Sequence, residues 1–212
     1  MRKAVRQPRV KSQASNPFCA DRLRPGAIDY IFVDGTNITD LLHKLRESNW
    51  RGEIVGPHGT GKSTLIQTLL PKLANEEFNV RLGTFRGGAF HWASEGAATN
   101  GSTHLREIVV IDGFEQLSPL ARWKWKWLTR WRRQGLLVTS HRSVGLPRLL
   151  TSNVNCDLAR QVVQQIAGEE MAGLTADDVD AALDQADGNL RDAMFRLYDV
   201  FEETLASQPE TM

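Results

Sequence analysis

One short stretch, IVGPHGTGKSTL at residues 54–65, restricts the possible folds of this 212-residue chain more than any other. Residues 56–63 have the spacing G-x-x-x-x-G-K-[ST], with an apolar run before them and a leucine-bearing helical pattern after them. Glycines let the backbone curl until its N–H groups point inward, where they can bind phosphate oxygens beside the positive end of a helix. The spacing predicts a phosphate-binding loop, which we call the glycine loop (residues 56–63); an incidental glycine turn is the alternative.

The positions of this loop have expected roles in binding a nucleoside triphosphate with magnesium. Lys62 would reach the β- and γ-phosphates, Ser63 would bind Mg²⁺, and Thr64 would lie beside the α-phosphate. We expect ATP and Mg²⁺ as the cofactors, with GTP as the open alternative to ATP. The residues expected to bind the nucleotide are Gly56, Pro57, His58, Gly59, Thr60, Gly61, Lys62, Ser63 and Thr64.

A candidate metal-binding carboxylate follows the apolar run IVVI at residues 108–111. Asp112 lies directly after that run, at the carboxyl edge of a predicted strand, where open α/β sheets bind ligands and where it can reach Mg²⁺ through water. A turn aspartate is the alternative. Many ATPases carry a glutamate immediately after this aspartate to orient the attacking water; here that place is Gly113, and Glu115 is the nearest carboxylate.

A polar strand end provides candidate contacts to the terminal phosphate. Thr139, Ser140 and His141 end the buried run that begins at residue 136, next to the predicted Asp112 strand. We expect Ser140 or His141 to point toward a γ-phosphate. An exposed histidine at a strand end is the alternative for His141.

Arg191 is a further candidate, because it lies in the first turn of the last predicted helix. The helix dipole disfavours a cation there by about 0.3–1 kcal/mol. A bound phosphate would account for the arginine, and so would an ion pair with Asp187 or Asp192.

The segment RWKWKWLTRWRRQ carries an unusual mixture of tryptophans and bases on the helix expected at residues 117–133. Trp123, Trp127 and Trp131 fall at i, i+4 and i+8 on one face. Such a face can bind single-stranded nucleic acid through stacking and phosphate contacts. The alternatives are that the tryptophans pack on the sheet or on the C-terminal helices, or that the basic face docks a protein partner.

Charge is divided unevenly along the chain. Residues 1–150 hold 23 Lys and Arg against 12 Asp and Glu, whereas residues 151–212 hold 3 against 13. Three explanations of this asymmetry remain open. The two parts can be opposed so that they attract each other across a cleft, the basic part can face an anionic ligand, or the acidic part is simply solvated. The chain has no run of about 18 apolar residues and no apolar segment after its basic N-terminus, so we expect a cytoplasmic protein without membrane contact.

Strand and helix periods alternate over residues 38–140, which predicts a mainly parallel sheet with helices between its strands. Strands are expected at residues 53–55, 80–84, 108–111 and 136–140, and helices after an Asn37 cap, over 65–75 and over 117–133. We expect residues 1–14 to be a disordered basic arm and residues 86–105 to be a long loop. The expected domains are a core with its lead-in at residues 15–154 and three C-terminal helices at 155–207.

These motifs resemble those of the P-loop ATPases in which an extra strand separates the Walker A and Walker B strands, a group that holds AAA+, STAND and ABC proteins. About 50 residues and one strand lie between Lys62 and Asp112, which suits AAA+ or STAND proteins, and no LSGGQ-like signature is present. VIDGFEQL looks like the DNFE form of the STAND Walker B region, and LLVTSHR is similar to the LVTSR sensor with His141 interposed. DGNLRDAMFRL resembles the sensor 2 segment of AAA+ lids.

The resemblance implies an α/β fold, a three-layer P-loop NTPase core followed by a small helical lid. It also implies an AAA+/STAND-like ATPase that couples Mg-ATP binding and slow hydrolysis to rearrangement of the lid or of a partner, either another protein or a second copy. The segment after Ser140 is too short for the full helix and strand of AAA+ proteins. The expected catalytic residues are Lys62, Asp112, Glu115, Ser140, His141 and Arg191.

Two other functions remain open from the sequence. The first is a small-molecule P-loop kinase, with arginines at residues 130–133 closing over the phosphates and a second substrate in the 86–105 loop. The second is a nucleic-acid-associated ATPase that acts through the Trp/Arg helix at residues 117–133.

Overall fold

The computed structural model describes residues 16–33, 35–86, 88–93, 106–168 and 173–207. The strands in these ranges are β1 (Arg51–Val55), β2 (Phe78–Arg86), β3 (Ala89–Trp92), β4 (Arg106–Asp112), β5 (Gly135–Ser140) and β6 (Arg148–Thr151). The α-helices are α1 (Ala20–Leu23), α2 (Ile38–Glu47), α3 (Lys62–Asn75), α4 (Pro119–Trp131), α5 (Cys156–Ala167), α6 (Ala176–Gln185) and α7 (Leu190–Ser207). The expected basic arm at residues 1–14 lies outside the described residues.

The strands form one sheet in the order β3-β2-β4-β5-β1-β6. Every pairing in it is parallel except that of β2 with β3. Strand β5 lies between β1, which leads into the glycine loop, and β4, which ends in Asp112. The predictions of an α/β class, a mainly parallel sheet and an inserted strand between these two are therefore confirmed.

Packing on both faces of the sheet follows from the two-residue period of its strands. In β4, Ile108 and Val110 pack with α2 and α3, whereas Val109 and Ile111 point to the opposite face, where Trp125 of α4 packs. Helices on the two faces bury the sheet between them, which is why its central strands are continuously apolar.

The prediction of a long loop over residues 86–105 is wrong for its first part. Strand β3 pairs antiparallel with β2. Its aromatic rings cover a glycine, since a Cβ added to Gly83 would lie 2.3 Å from Phe90 Cζ. The small residues around β3 hid this strand in the sequence. Residues 94–105 lie outside the described residues.

The short segment after Ser140 also differs from the expectation. It forms strand β6 beside β1, and residues 141–147 replace a helix between β5 and β6. The expectation that this segment is too short for both a helix and a strand is confirmed, because it holds the strand without the helix.

The C-terminal helices α5, α6 and α7 form a core of their own, and their prediction is confirmed. Phe18, which is fully buried, packs into this core from the other end of the chain, with its ring edge-on to Phe201. The N-terminal lead-in therefore contacts the helical part as well as the sheet. Within the described residues, no helix is long and apolar enough to cross a membrane.

A buried carboxylate shapes the turn between β5 and β6. Glu53 in β1 is 1% exposed. It accepts hydrogen bonds from Ser143 Oγ at 2.7 Å, Val144 N at 2.9 Å and Leu146 N at 3.2 Å. Arg148 Nε lies 3.6 Å from its Oε1. Burial raises the pKa of Glu53, but these hydrogen bonds and the arginine outweigh it and hold the pKa below its ordinary value.

We expect Glu53→Gln to lower the free energy of unfolding by about 1–3 kcal/mol at neutral pH, because buried amide donors lose a charged acceptor. The exposed Glu47→Gln is the control and should change it by less than about 0.5 kcal/mol. Since the folded-state pKa of Glu53 is lowered, its stabilisation is present above the ordinary value of 4.5 and is lost as pH falls through the folded-state value. The difference between wild type and Glu53→Gln should therefore shrink below about pH 4.5 in urea titrations; a constant difference down to about pH 3 would contradict this account.

Candidate functional site

A cavity of about 530 Å³ lies at the carboxyl edge of the sheet, and we call it the loop cavity. It is bounded by the glycine loop, by the ends of β4 and β5, and by the beginning of α7. Parallel strands bring their carboxyl ends to one edge, which is where open α/β sheets bind ligands. Of the expected site residues, those that line it are His58, Gly59, Thr60, Gly61, Lys62, Ser63, Thr64, Asp112, Glu115, His141 and Arg191.

The glycine loop adopts a backbone that requires glycine at two positions. Gly59 and Gly61 have φ angles of 70° and 84°, in the left-handed region. Gly56 allows a close approach instead, because an added Cβ would lie 2.3 Å from Ser152 O. The Ser152 hydroxyl donates to Thr60 O at 2.6 Å, and the Tyr30 hydroxyl lies 3.5 Å from the Ser152 oxygen. Residues distant in sequence thus support the loop.

The side chain of Lys62 lies inside the curl of the loop and is 8% exposed. Its ammonium donates to Gly56 O at 2.8 Å and also to Pro57 O. Burial lowers the pKa of Lys62, the carboxylates of Glu115 and Asp112 partly offset this, and the charge of Arg191 lowers it further. These groups therefore interact electrostatically across the cavity.

Asp112 is held by the neighbouring strand end, through Thr139. The Thr139 hydroxyl donates to Asp112 Oδ1 at 2.5 Å and accepts from Gly113 N at 2.8 Å. Thr139 lines the cavity, whereas the sequence-based prediction named Ser140 or His141; His141 lines it as well. Ser140 is buried and its hydroxyl donates to Arg142 O at 2.7 Å, so the structure does not bring it to the cavity. Successive residues of a strand point to opposite faces, which places residues 139 and 141 together and residue 140 apart.

His141 and Glu115 form a pair at the cavity wall. His141 Nε2 lies 3.4 Å from Glu115 Oε1, and the ring of His58 packs edge-on with a centroid separation of 3.5 Å. Burial lowers the pKa of His141; Glu115 opposes this shift, while Lys62 and His58 add to it. A pKa below the ordinary value of 6.5 favours the neutral imidazole at pH 7. The other oxygen of the carboxylate, Glu115 Oε2, is buried without a hydrogen-bond partner among the described residues.

The beginning of α7 reaches the glycine loop directly. Asn189 caps this helix, since its Oδ1 accepts from Arg191 N at 3.1 Å and from Asp192 N at 3.3 Å. A Cβ added to Gly59 would lie 1.6 Å from the same oxygen. Arg191 lines the cavity, and within the described ranges no ion pair joins it to Asp187 or Asp192. The alternative explanation for this arginine is therefore not supported.

The donor set of the loop cavity fits a magnesium ion bound together with phosphates. Ser63 and Asp112 supply oxygen donors, and Mg²⁺ is usually held by one or two carboxylates plus substrate phosphates. A triphosphate beside Asp112 and Glu115 would meet strong repulsion without a divalent cation between them. No group of three or more His, Cys, Asp or Glu side chains that could hold a metal ion occurs in the described part of the chain.

Comparison with known proteins identifies the fold. No protein-family model and no curated protein matches this chain. Among solved structures it is similar to Cdc6p from Pyrobaculum aerophilum, with a TM-score of 0.57 and 15% identity over 88% of this chain and 66% of that one. The fold is an α/β P-loop NTPase fold. The chain spans just under two thirds of the Cdc6p chain.

PCH-2 of C. elegans shows a weaker likeness, with a TM-score of 0.38 and 14% identity over 79% of this chain and 67% of that one.

The contact between Gly59 and Asn189 can be tested by comparing Gly59→Ala with the same substitution at a glycine of similar backbone conformation. Gly35 has a φ of 69°, close to that of Gly59, and nothing lies within 4 Å of an added Cβ. We expect Gly59→Ala to lower the free energy of unfolding by about 1 kcal/mol more than Gly35→Ala, because the new methyl group displaces the helix cap. Urea denaturation of both variants measures the difference.

As the control, Gly59→Ala and Gly35→Ala are compared again in a protein that also carries Asn189→Ala. The extra cost of Gly59→Ala should then fall to less than about 0.5 kcal/mol, because the two residues act as one contact. An undiminished extra cost would show that Gly59 does not act through Asn189.

Proposed function

We propose that this chain is an ATPase of AAA+/STAND-like type, in which Mg-ATP binding and slow hydrolysis change the position of the C-terminal helices or of a bound partner. One observation carries the proposal: five residues from four separate segments of the chain all line the loop cavity, namely Lys62, Asp112, Glu115, His141 and Arg191. A glycine loop alone can bind many anions. The combination with paired carboxylates and an arginine from α7 is suited to a nucleoside triphosphate with a divalent cation.

In this proposal the chain mainly positions and neutralises the phosphates. The backbone N–H groups of the glycine loop and the Lys62 ammonium bind the β- and γ-phosphates. Ser63 and Asp112 would hold Mg²⁺, which would supply positive charge to neutralise the phosphates. Thr139 orients Asp112 by donating to its Oδ1, leaving Oδ2 for the ion or its water.

Glu115 is the residue that we propose to orient and deprotonate the attacking water. Its carboxylate lines the cavity, and Oε2 is buried without a partner among the described residues, so it can accept a proton or a hydrogen bond. His141 can donate to Oε1 through Nε2, 3.4 Å away, and so fix the orientation of the carboxylate. Because Glu115 lies in a short 3-10 turn and not directly after the strand, we expect turnover to be slow.

The kinase alternative is less consistent with the geometry. Arg130 and Arg133 line a cavity together with Gly135, which begins β5, whereas the loop cavity lies at the opposite ends of the parallel strands. Those arginines therefore do not close over the phosphates, and that part of the kinase hypothesis is wrong.

ATP hydrolysis by the full chain, measured as phosphate release without an added acceptor, tests the proposal. We expect Lys62→Ala to abolish turnover and most nucleotide affinity, and Asp112→Asn to lower turnover at least about 100-fold while leaving binding largely intact. Glu115→Gln should slow turnover by an equal or smaller factor. Lys72→Ala, an exposed lysine of the same helix as Lys62, is the control and should behave as wild type.

Two results would contradict the ATPase proposal. Equal hydrolysis by wild type and Asp112→Asn would remove that residue from the metal site. Phosphate transfer that requires an acceptor molecule would select the kinase instead.

A further inference from the structure

A second cavity, of about 460 Å³, lies at the amino-terminal edge of the sheet, where β1, β2, β4 and β5 begin. It is distinct from the loop cavity at the other ends of these strands. We call it the arginine cavity, because five of its lining residues are arginines and none of its described lining residues is acidic. These arginines are Arg46, Arg51, Arg106, Arg130 and Arg133.

The charges of this cavity are compensated only in part. Arg46 pairs with Glu76, and Arg51 donates to Thr129 Oγ1 at 3.0 Å and to Lys126 O at 3.1 Å, which are uncharged acceptors. No ion pair between described residues involves Arg130 or Arg133. Burial and the nearby charge of Arg130 lower the pKa of Arg51. The guanidinium groups of Arg51 and Arg130 therefore repel each other, an arrangement that an anion would stabilise.

Aromatic rings and backbone strain occur in the same cavity. The guanidinium of Arg106 lies over the rings of Trp50 and Phe78, at 5.9 and 5.1 Å from their centroids. Asn49, Trp50 and Arg133 have φ angles of 52°, 59° and 54°, in the left-handed region that residues other than glycine rarely adopt. Strain of this kind tends to cluster at binding sites.

The indole row, which consists of Trp123, Trp127 and Trp131, lies on the outer face of α4. The three residues are 65%, 54% and 70% exposed, so the alternative in which they pack on the sheet is wrong; Trp125 packs there instead. Their rings are nearly parallel, with interplanar angles of 14° and 3° and centroid separations of 6.4 and 6.0 Å. Three large exposed apolar groups in one row are uncommon on a protein that binds nothing there.

The indole row leads into the arginine cavity. Arg130 and Arg133, which line the cavity, flank Trp131, the last residue of α4 and of the row. Trp123 and Trp131 are eight residues apart, or about 12 Å along the helix. The surface thus combines a row of aligned aromatic rings with a basic recess at one end.

We propose that the indole row and the arginine cavity form one binding site for a single-stranded nucleic acid, with bases on the indoles and backbone phosphates at the arginines. Bases stack on aromatic rings regardless of sequence, and arginine clusters neutralise the backbone. This proposal goes beyond the ATPase activity and does not depend on it.

Two other occupants fit the surface less well. A flat anionic membrane would contact the indole row but could not reach Arg51, whose side chain is held inside the cavity by Thr129 and the Lys126 carbonyl. The acidic C-terminal part of a second copy would match the charge, but its carboxylates gain nothing from a row of parallel aromatic rings. A flexible strand of stacking bases and phosphates uses both features.

Fluorescence anisotropy of a labelled oligo(dT) of about 20 nucleotides with the full chain, in the absence of ATP, tests the proposal over a range of salt concentrations. The double variant Arg130→Gln/Arg133→Gln should bind more weakly, and the slope of log K against log salt should become shallower by about 1.4, or about 0.7 for each phosphate that is no longer neutralised. Trp127→Ala should weaken binding about tenfold with an unchanged slope, because stacking releases no counterions. Arg22→Gln, an exposed arginine distant from this surface, should bind as wild type.

The substituted side chains are exposed, so we expect each variant to fold as the wild type does. Thermal melts of each variant check this. A wild-type slope in the double arginine variant would overturn the proposal, and so would equal affinity for duplex and single strand. Sedimentation with vesicles containing phosphatidylserine, without oligonucleotide binding, would select a membrane instead. Self-association that Trp127→Ala abolishes, again without oligonucleotide binding, would select a second copy.

Discussion

The burial of the Lys62 ammonium inside its own loop is the constraint on which the rest of the site depends. A buried cation is costly unless it is paired and hydrogen-bonded. Here the carbonyls of Gly56 and Pro57 accept from it, and Asp112 and Glu115 oppose the burial effect on its pKa. Keeping these groups together requires the strands that carry them to end at one edge, which the parallel order of β1, β5 and β4 provides.

The features that local sequence signals describe were predictable. The glycine loop, Asp112 and the alternation of strands and helices each depend on residues close in sequence. The supports of the loop were not predictable, because Ser152 and Tyr30 reach it only through long-range folding. Which of Thr139 and Ser140 points toward the loop cavity depends on the register of the strand, because a shift of one residue moves a side chain to the other face of the sheet. Spacing placed three tryptophans on one face of α4 but could not show that this face points outward.

The basic and acidic parts of the chain are not joined to each other by ion pairs between described residues. Ion pairs between described residues lie within the sheet-containing part or within the C-terminal helices, and none of them joins the two. The contacts that do join them include the packing of Phe18 and the approach of Asn189 to Gly59. Among the described residues, the helices are therefore not held on the sheet by direct surface ion pairs, and the beginning of α7 is placed where it can respond to occupancy of the loop cavity.

We propose that α7 responds to a nucleotide bound at the glycine loop through Arg191, which lines the loop cavity. Amide hydrogen exchange over residues 188–200, with and without Mg-ATP, tests it most directly. The account predicts that Mg-ATP slows exchange there in the wild type and that Arg191→Ala removes this protection while the glycine loop still binds nucleotide. Protection that follows salt concentration but not Mg-ATP, equally in both proteins, would contradict it, because surface attraction is screened over about 8–10 Å at physiological ionic strength.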